Sequence, residues 1–309
     1  MAESSLLLAF ERHWNASGFA DSTLENYLQV YAKLTRKGLK LPPDLTLAEA
    51  QNYVLSRLKE VKPSSVAFEV KAIKSLSKWS AAYLDVPDPL TDLRIPKLDE
   101  PVAQPTATEE DLAKLLQACN NSIGFEAVRD HALISMFAAT GARRSEIARL
   151  KVSDLDLHEG LVTFHTTKER SGRVVSVEAI APSLLRYMAR RDRHPSRAED
   201  ALWLGQKGAL GVQGIGFAFA RREAQAGVTI GTHAFRRRLA VEWLRRGGSE
   251  VALQELLGWT SGAMVRRYTR ALLSGLAVEE QRRLFPTTEK RQGARARPTS
   301  ILRKAGDGR

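Results

Sequence analysis

Four short stretches of this chain carry side chains whose types and spacing could act on a charged phosphorus centre. Thr140-Gly141-Ala142-Arg143-Arg144-Ser145-Glu146-Ile147 reads as a helix break followed by a new helix start, which projects arginine from near a helix N-terminus. Such a place collects anions. Thr167-Lys168-Glu169-Arg170-Ser171-Gly172-Arg173 sets cations on a turn between two strand-like runs, with Lys168, Arg170 and Arg173 as competing candidates. Gly231-Thr232-His233-Ala234-Phe235-Arg236 places His233 and Arg236 three apart, on one helical face. Last comes Leu253-Gln254-Glu255-Leu256-Leu257-Gly258-Trp259, followed nine residues after Trp259 by Tyr268.

Together these residues suit phosphodiester cleavage. The non-bridging oxygens of a phosphodiester carry charge that builds in the transition state, so a protein working without metal must supply fixed cations. Arginine does this with paired N–H contacts. A phenol with a pKa near about 10 is a usable nucleophile once its proton is drawn off, and surrounding positive charge favours the phenolate. Each residue alone has a plainer reading. Tyr268 could be a packing tyrosine, His233 a capping or surface histidine, and a turn lysine merely solvated.

Charge supports the sharper reading. The 309 residues include 47 Lys plus Arg against 35 Asp plus Glu, a net charge of +12, which calls for a polyanion partner. With 43% hydrophobic and 27% charged residues the chain has the mix of a globular protein with one or two cores. Cys119 is the single cysteine, which rules out an internal disulfide or a thiolate-rich zinc site and fits a reducing cytoplasm. No basic leader is evident at the N-terminus, and no run approaches the roughly 18 apolar residues of a membrane span, so a membrane role is not expected. Neither a phosphate-binding Gly-x-x-x-x-Gly-Lys-Ser/Thr motif nor an acidic metal cluster is present, and no cofactor or metal is expected.

The elements that must position these residues follow from periodicity. Residues 1–86 read as a helical unit of four segments; the third is announced by the Thr46/Glu49 capping box, and the fourth runs from Ser64 or Ser65 to about Leu84. That fourth segment sets Phe68, Ala72, Leu76 and Trp79 on one side and Lys71, Lys74 and Lys78 on another. The lysine row is a candidate DNA-binding face, with an ordinary solvated face as its plain alternative. Pro87, Pro89, Pro96, Pro101 and Pro105 mark residues 87–107 as an extended linker. A second unit, 108–286, opens at the Thr108/Asp111 cap. It contains a three-stranded antiparallel sheet from Val152–Leu157, Leu161–Thr166 and Arg173–Val177, then helices near 182–193, 212–226, 234–246, 250–257, 261–272 and 276–285. Residues 287–309, with seven Lys or Arg against two acids, read as a basic, flexible tail. The expected fold class is therefore mainly α with a small antiparallel β-sheet, in two domains.

In the order and spacing of these stretches, the chain resembles the tyrosine recombinase (phage integrase) family from about residue 4 to 286. The family's hallmark is a series of Arg, Lys, His-x-x-Arg, His or Trp, and Tyr. It maps here onto Arg143, Lys168, His233, Arg236, Trp259 and Tyr268. Thr-Gly-x-Arg selects Arg143 over Arg144, and the register of the Arg173-Val-Val-Ser-Val strand selects Lys168. Glu146 matches the acidic position of the arginine box and is read as a buttress for the arginines. Trp259 stands where many members have His; it offers an indole N–H and packing, with no proton to transfer.

The resemblance implies an N-terminal helical core-binding (SAM-like) domain and a C-terminal catalytic domain, closing as a clamp on DNA. It implies attack by Tyr268 to give a 3′-phosphotyrosyl bond and a free 5′-hydroxyl, with Lys168 as general acid and His233 taking the tyrosine proton or binding a phosphate oxygen. A second 5′-hydroxyl reverses the step on a new partner without ATP. Expected partners are double-stranded core recombination sites, three further copies of the chain in a homotetramer on DNA, and, as a partner the reading allows, a directionality factor. Starting at the core-binding helices, the chain leaves no room for an arm-site domain. A compact phage or mobile-element integrase is the preferred role, in the cytoplasm at the nucleoid. The alternatives are a Xer-type chromosome-dimer resolvase, a non-catalytic DNA-binding relative, and a type IB topoisomerase-like enzyme. The helix near 276–285 could dock on a neighbouring protomer or pack on its own.

Overall fold

A computed structural model describes residues 3–97, 106–165 and 172–259, together with 261–262, 264–265, 277–278 and 280–285. The chain divides into two compact units, Met1–Val102 and Ala103–Arg309.

The first unit holds four helices: α1 (Glu3–Ala16), α2 (Asp21–Arg36), α3 (Leu47–Glu60) and α4 (Pro63–Leu84). Pro63 at the first turn of α4 costs no hydrogen bond, and Thr46 and Glu49 satisfy each other's backbone N–H at the start of α3. Phe10, Tyr31, Leu34, Val70, Ile73 and Leu76 fill the core, joined by Leu90 and Leu93 from the segment after α4. Glu69 is buried among them. It accepts from Arg57 Nε at 2.9 Å, Tyr53 Oη at 2.9 Å and Lys33 Nζ at 2.6 Å, the pairing that makes a buried carboxylate tolerable.

In the second unit, α5 (Glu109–Asn120) and α6 (Phe125–Thr140) lead into the five-residue helix α7 (Arg144–Ala148). Strands β1 (Leu155–Asp156), β2 (Leu161–Phe164) and β3 (Arg173–Ser176) then form an antiparallel sheet in sequence order, with Val162 opposite Val175 and Phe164 opposite Arg173. Residues 152–154, expected as strand, form a 3-10 turn instead, because the Asp154 carboxylate accepts the Lys151 N–H at 2.8 Å and bends the chain. Helix α8 (Ala181–Arg191) follows. A hairpin not expected from the sequence, β4 (Leu204–Gly205) with β5 (Gly208–Ala209), precedes α9 (Val212–Ala226), α10 (His233–Arg245) and α11 (Glu250–Leu257).

Helix α6 is buried on most sides, against α5, α8, α9 and α10. Its residues Leu133, Met136 and Phe137 meet Tyr187, Trp203, Phe219 and Phe235 in the main core. A buried carboxylate, Asp130, accepts from Arg129 on the same helix and from Arg221 and Arg222 on α9, tying the two helices together. A smaller cluster of Ala240, Leu253, Leu257, Trp259 and Val265 joins α10 to α11 and the residues beyond. Among the described residues no helix is long and apolar enough to cross a membrane.

Candidate active site

The arginine loop begins where α6 stops. Gly141 adopts φ +56°, the left-handed conformation in which helices commonly end, and its N–H caps Phe137 O at 3.0 Å. A Cβ here would also lie 3.0 Å from Leu239 Cδ2 and 3.3 Å from the Arg236 Cα. Glycine thus lets the loop touch α10. Arg143 follows at the residue before α7, its backbone N–H donating to Glu146 Oε2 at 2.7 Å and its Nη1 to Oε1 at 2.9 Å. The Arg143 side chain stays 39% exposed, so the rest of the guanidinium can meet a ligand.

Glu146 serves a second arginine. Arg173, at the start of β3, donates from Nη2 to Glu146 Oε2 at 2.8 Å and from Nε to Leu256 O at 2.8 Å. Burial pushes the Glu146 carboxyl up, but the hydrogen bond and charge of Arg173, then the contacts of Arg143, outweigh it and hold the group below its usual range.

On α10, His233 is the first residue and Arg236 lies one turn on. Before them, Glu223 of α9 accepts the N–H groups of Ile230 and Gly231 at 2.7 Å each, which fixes the turn into the helix. Arg236 is 1% exposed. It donates from Nη1 to Gly141 O at 3.0 Å and from Nη2 to Leu257 O, while its Cζ sits 5.1 Å from the centre of the Trp259 ring. The His233 ring reaches solvent; partial desolvation, then the charges of Arg236, Arg237, Arg143 and Arg144, push the imidazole below its usual range.

Arg143, Glu146, His233, Arg236 and Trp259 therefore come together around the Gly141 loop. Lys168 and Tyr268 lie outside the described residues. The described neighbours of Lys168 are Phe164 and His165 before it and Gly172 and Arg173 after it, and three residues before Tyr268 the buried Val265 shares a cluster with Trp259. Arg144 is exposed on α7 and lies against α9 where Gly216 leaves room for it.

In the first unit, Lys71 and Lys78 are exposed on α4, but Lys74 departs from the expected row. Its ammonium donates to three carbonyls, Leu90, Thr91 and Leu93, at 3.0, 2.8 and 2.9 Å. Three donors meeting three acceptors make it a clasp on the segment after α4. Sequence reasoning weighed Arg173 only as a competitor of Lys168 and missed its tie to Glu146 and Leu256, 27 and 83 positions away.

A model of the phage integrase family matches residues 105–273. The chain belongs to this family, the tyrosine recombinases. Among this family's members, the chain is 24% identical over 286 residues to tyrosine recombinase XerA of Pyrococcus furiosus, covering 89% of this chain and 93% of that protein. Two solved structures of tyrosine recombinases share the fold. The Tn1549 transposon integrase in complex with a circular intermediate DNA superposes with a TM-score of 0.72 at 16% identity, over 90% of this chain and 99% of the other. A lambda integrase tetramer bound to a Holliday junction gives 0.66 at 18%, over 86% and 76%.

Proposed function

We propose that this tyrosine recombinase is a site-specific enzyme that cuts and rejoins DNA through a 3′-phosphotyrosyl intermediate, with Tyr268 as nucleophile. The observation that carries the reading is the joining of two arginines through one loop: Arg236 donates to the carbonyl of Gly141, two residues before Arg143. On this reading the two guanidinium groups serve one anion, with His233 beside them. Attack by the Tyr268 oxygen forms the P–O bond to tyrosine and breaks the bond to the 5′ oxygen, which takes a proton from Lys168. His233, held neutral, accepts the phenol proton or binds a phosphate oxygen. A 5′-hydroxyl from a second duplex then reverses the step. Trp259 acts by packing on Arg236.

The partners follow from the chemistry: double-stranded DNA at core sites, and a tetramer of this chain so that two duplexes are cut on both strands. Such work lies in the cytoplasm, where the chromosome is. Residues 1–86 supply a core-binding domain with Lys71 and Lys78 as DNA contacts, 87–107 a linker whose Leu90 and Leu93 pack on that domain, 108–286 the catalytic domain and 287–309 a basic tail. The proposed role is integration of a mobile element. The XerA likeness, extending over most of both chains, favours a second role as chromosome-dimer resolvase.

A nicked suicide duplex, built from the repeated sequence flanking the coding region, tests the reading. The wild-type protein traps a covalent adduct and Tyr268→Phe traps none. An adduct with Tyr268→Phe would overturn the nucleophile. Adduct formation only on a single chromosomal site, not on flanking repeats, would favour the resolvase.

A further inference from the structure

We propose that Arg173 is a positioning residue for strand cleavage, setting the place and the effective charge of Arg143 through Glu146 while holding the end of α11. The inference rests on the reading of this pocket as the cleavage site.

A buried guanidinium is costly unless its donors are met, and Arg173, whose side chain is only 9% exposed, is held on every side. Its Cζ lies 4.5 Å from the centre of the Phe164 ring on β2. The stem and one Nη pass Gly258, where a Cβ would be 3.6 Å from Cδ and 3.5 Å from Nη1. Nε and Nη2 bind Leu256 O and Glu146. A lysine here would lose the planar fork that serves the two acceptors from separate nitrogens.

Two consequences join these contacts to the chemistry. Glu146 offers one carboxylate to two arginines, so its negative charge is divided. Were Arg173 absent, the carboxylate would fall wholly to Arg143 and neutralise a cation meant for the phosphate. At the other end, the last carbonyls of a helix have no partner within it and favour cations. On α11 two successive carbonyls, Leu256 and Leu257, are taken by Arg173 and Arg236. Arg173 thus locks the turn that carries Trp259 to the element that carries Arg143.

Single-turnover adduct formation at saturating suicide duplex tests this on the full chain. It is run with an ordinary scissile phosphate and with a methylphosphonate, whose missing charge relieves the demand on Arg143. Arg173→Ala is expected to slow cleavage about 100-fold, the scale of a small misplacement of reacting groups, while DNA affinity changes less than about threefold. Arg173→Lys falls between. The methylphosphonate narrows the deficit by about tenfold, and the loss in Arg143→Ala/Arg173→Ala is smaller than the two single losses combined. An equal deficit on both substrates, or additive losses in the double variant, would show a role in folding only and overturn the proposal. If Arg173→Ala fails to fold, Arg173→Lys carries the same comparison. Wild-type protein that forms no adduct on either substrate removes the cleavage reading itself; wild-type cleavage with full-rate Arg173 variants removes this inference alone.

Discussion

The guanidinium of Arg236 lies 5.1 Å from the centre of the Trp259 ring and donates to the carbonyl of Leu257, two residues before that tryptophan. One arginine is thereby held by the ring and by the main chain of the same turn. Trp259 is buried with Leu253, Leu257 and Val265. Trp259→Ala is expected to cost about 3–5 kcal/mol of stability, as emptying an aromatic site does. Trp259→Phe keeps a ring over Arg236 and should retain most cleavage. Denaturant unfolding and adduct yield, measured on both variants, check this; equal losses in cleavage would show that the ring face does not matter.

Gly141 meets two demands, a left-handed backbone and close approach to α10. Gly141→Ala should destabilise the protein by about 1–3 kcal/mol and lower cleavage with it. Adding Leu239→Ala removes the nearest clash but not the backbone strain, so the double variant should recover only part of the cleavage rate. Full recovery would leave sterics as the sole cause.

The three lysines of α4 should separate by assay. The net charge of +12 predicts DNA affinity that falls steeply with salt. Lys71→Ala and Lys78→Ala each are expected to reduce the slope of log affinity against log salt by about one if the residue touches a phosphate. Lys74→Met should instead lower the melting temperature of the first unit, because three carbonyls lose their donor. A slope change for Lys74→Met with an unchanged melting temperature would reverse this assignment.

His233 is pushed below the usual imidazole range by partial desolvation and by four arginines. It is therefore neutral at pH 7 and gains a proton only as the pH falls through a value below about 6.5. If it accepts the Tyr268 proton, the cleavage rate declines on that acid limb. An NMR titration of the ring in DNA-free protein should give a midpoint below 6.5, and Arg144→Gln should move it upward. A midpoint above 6.5 would contradict the environment described for it.

Much of the architecture was legible because helix ends are written locally. Helix α11 was expected at 250–257, where Ser249 and Gly258 supply its two caps, and α9 at 212–226, bounded by Gly211 and Gly227. The pairs Thr46/Glu49 and Thr108/Asp111 likewise cap α3 and α5. The β4–β5 hairpin escaped notice because two-residue strands have no periodicity to read. At the site, residue order pointed to Arg143, His233, Arg236 and Trp259, but nothing local showed that Arg236 is held by Gly141 and Leu257, 95 and 21 positions away. Lys74 was misplaced for the same reason. A lysine row shows on a helical wheel, whereas the carbonyls that take one of them come from the chain 16 to 19 residues later.

The two carbonyls at the end of α11 are synthesised after Arg143, Arg173 and Arg236. A chain that ends before residue 250 has made every one of those arginines and nothing at Leu256 or Leu257 to aim the later two. Truncation anywhere before α11 therefore leaves Arg173 and Arg236 without the two acceptors that fix their direction.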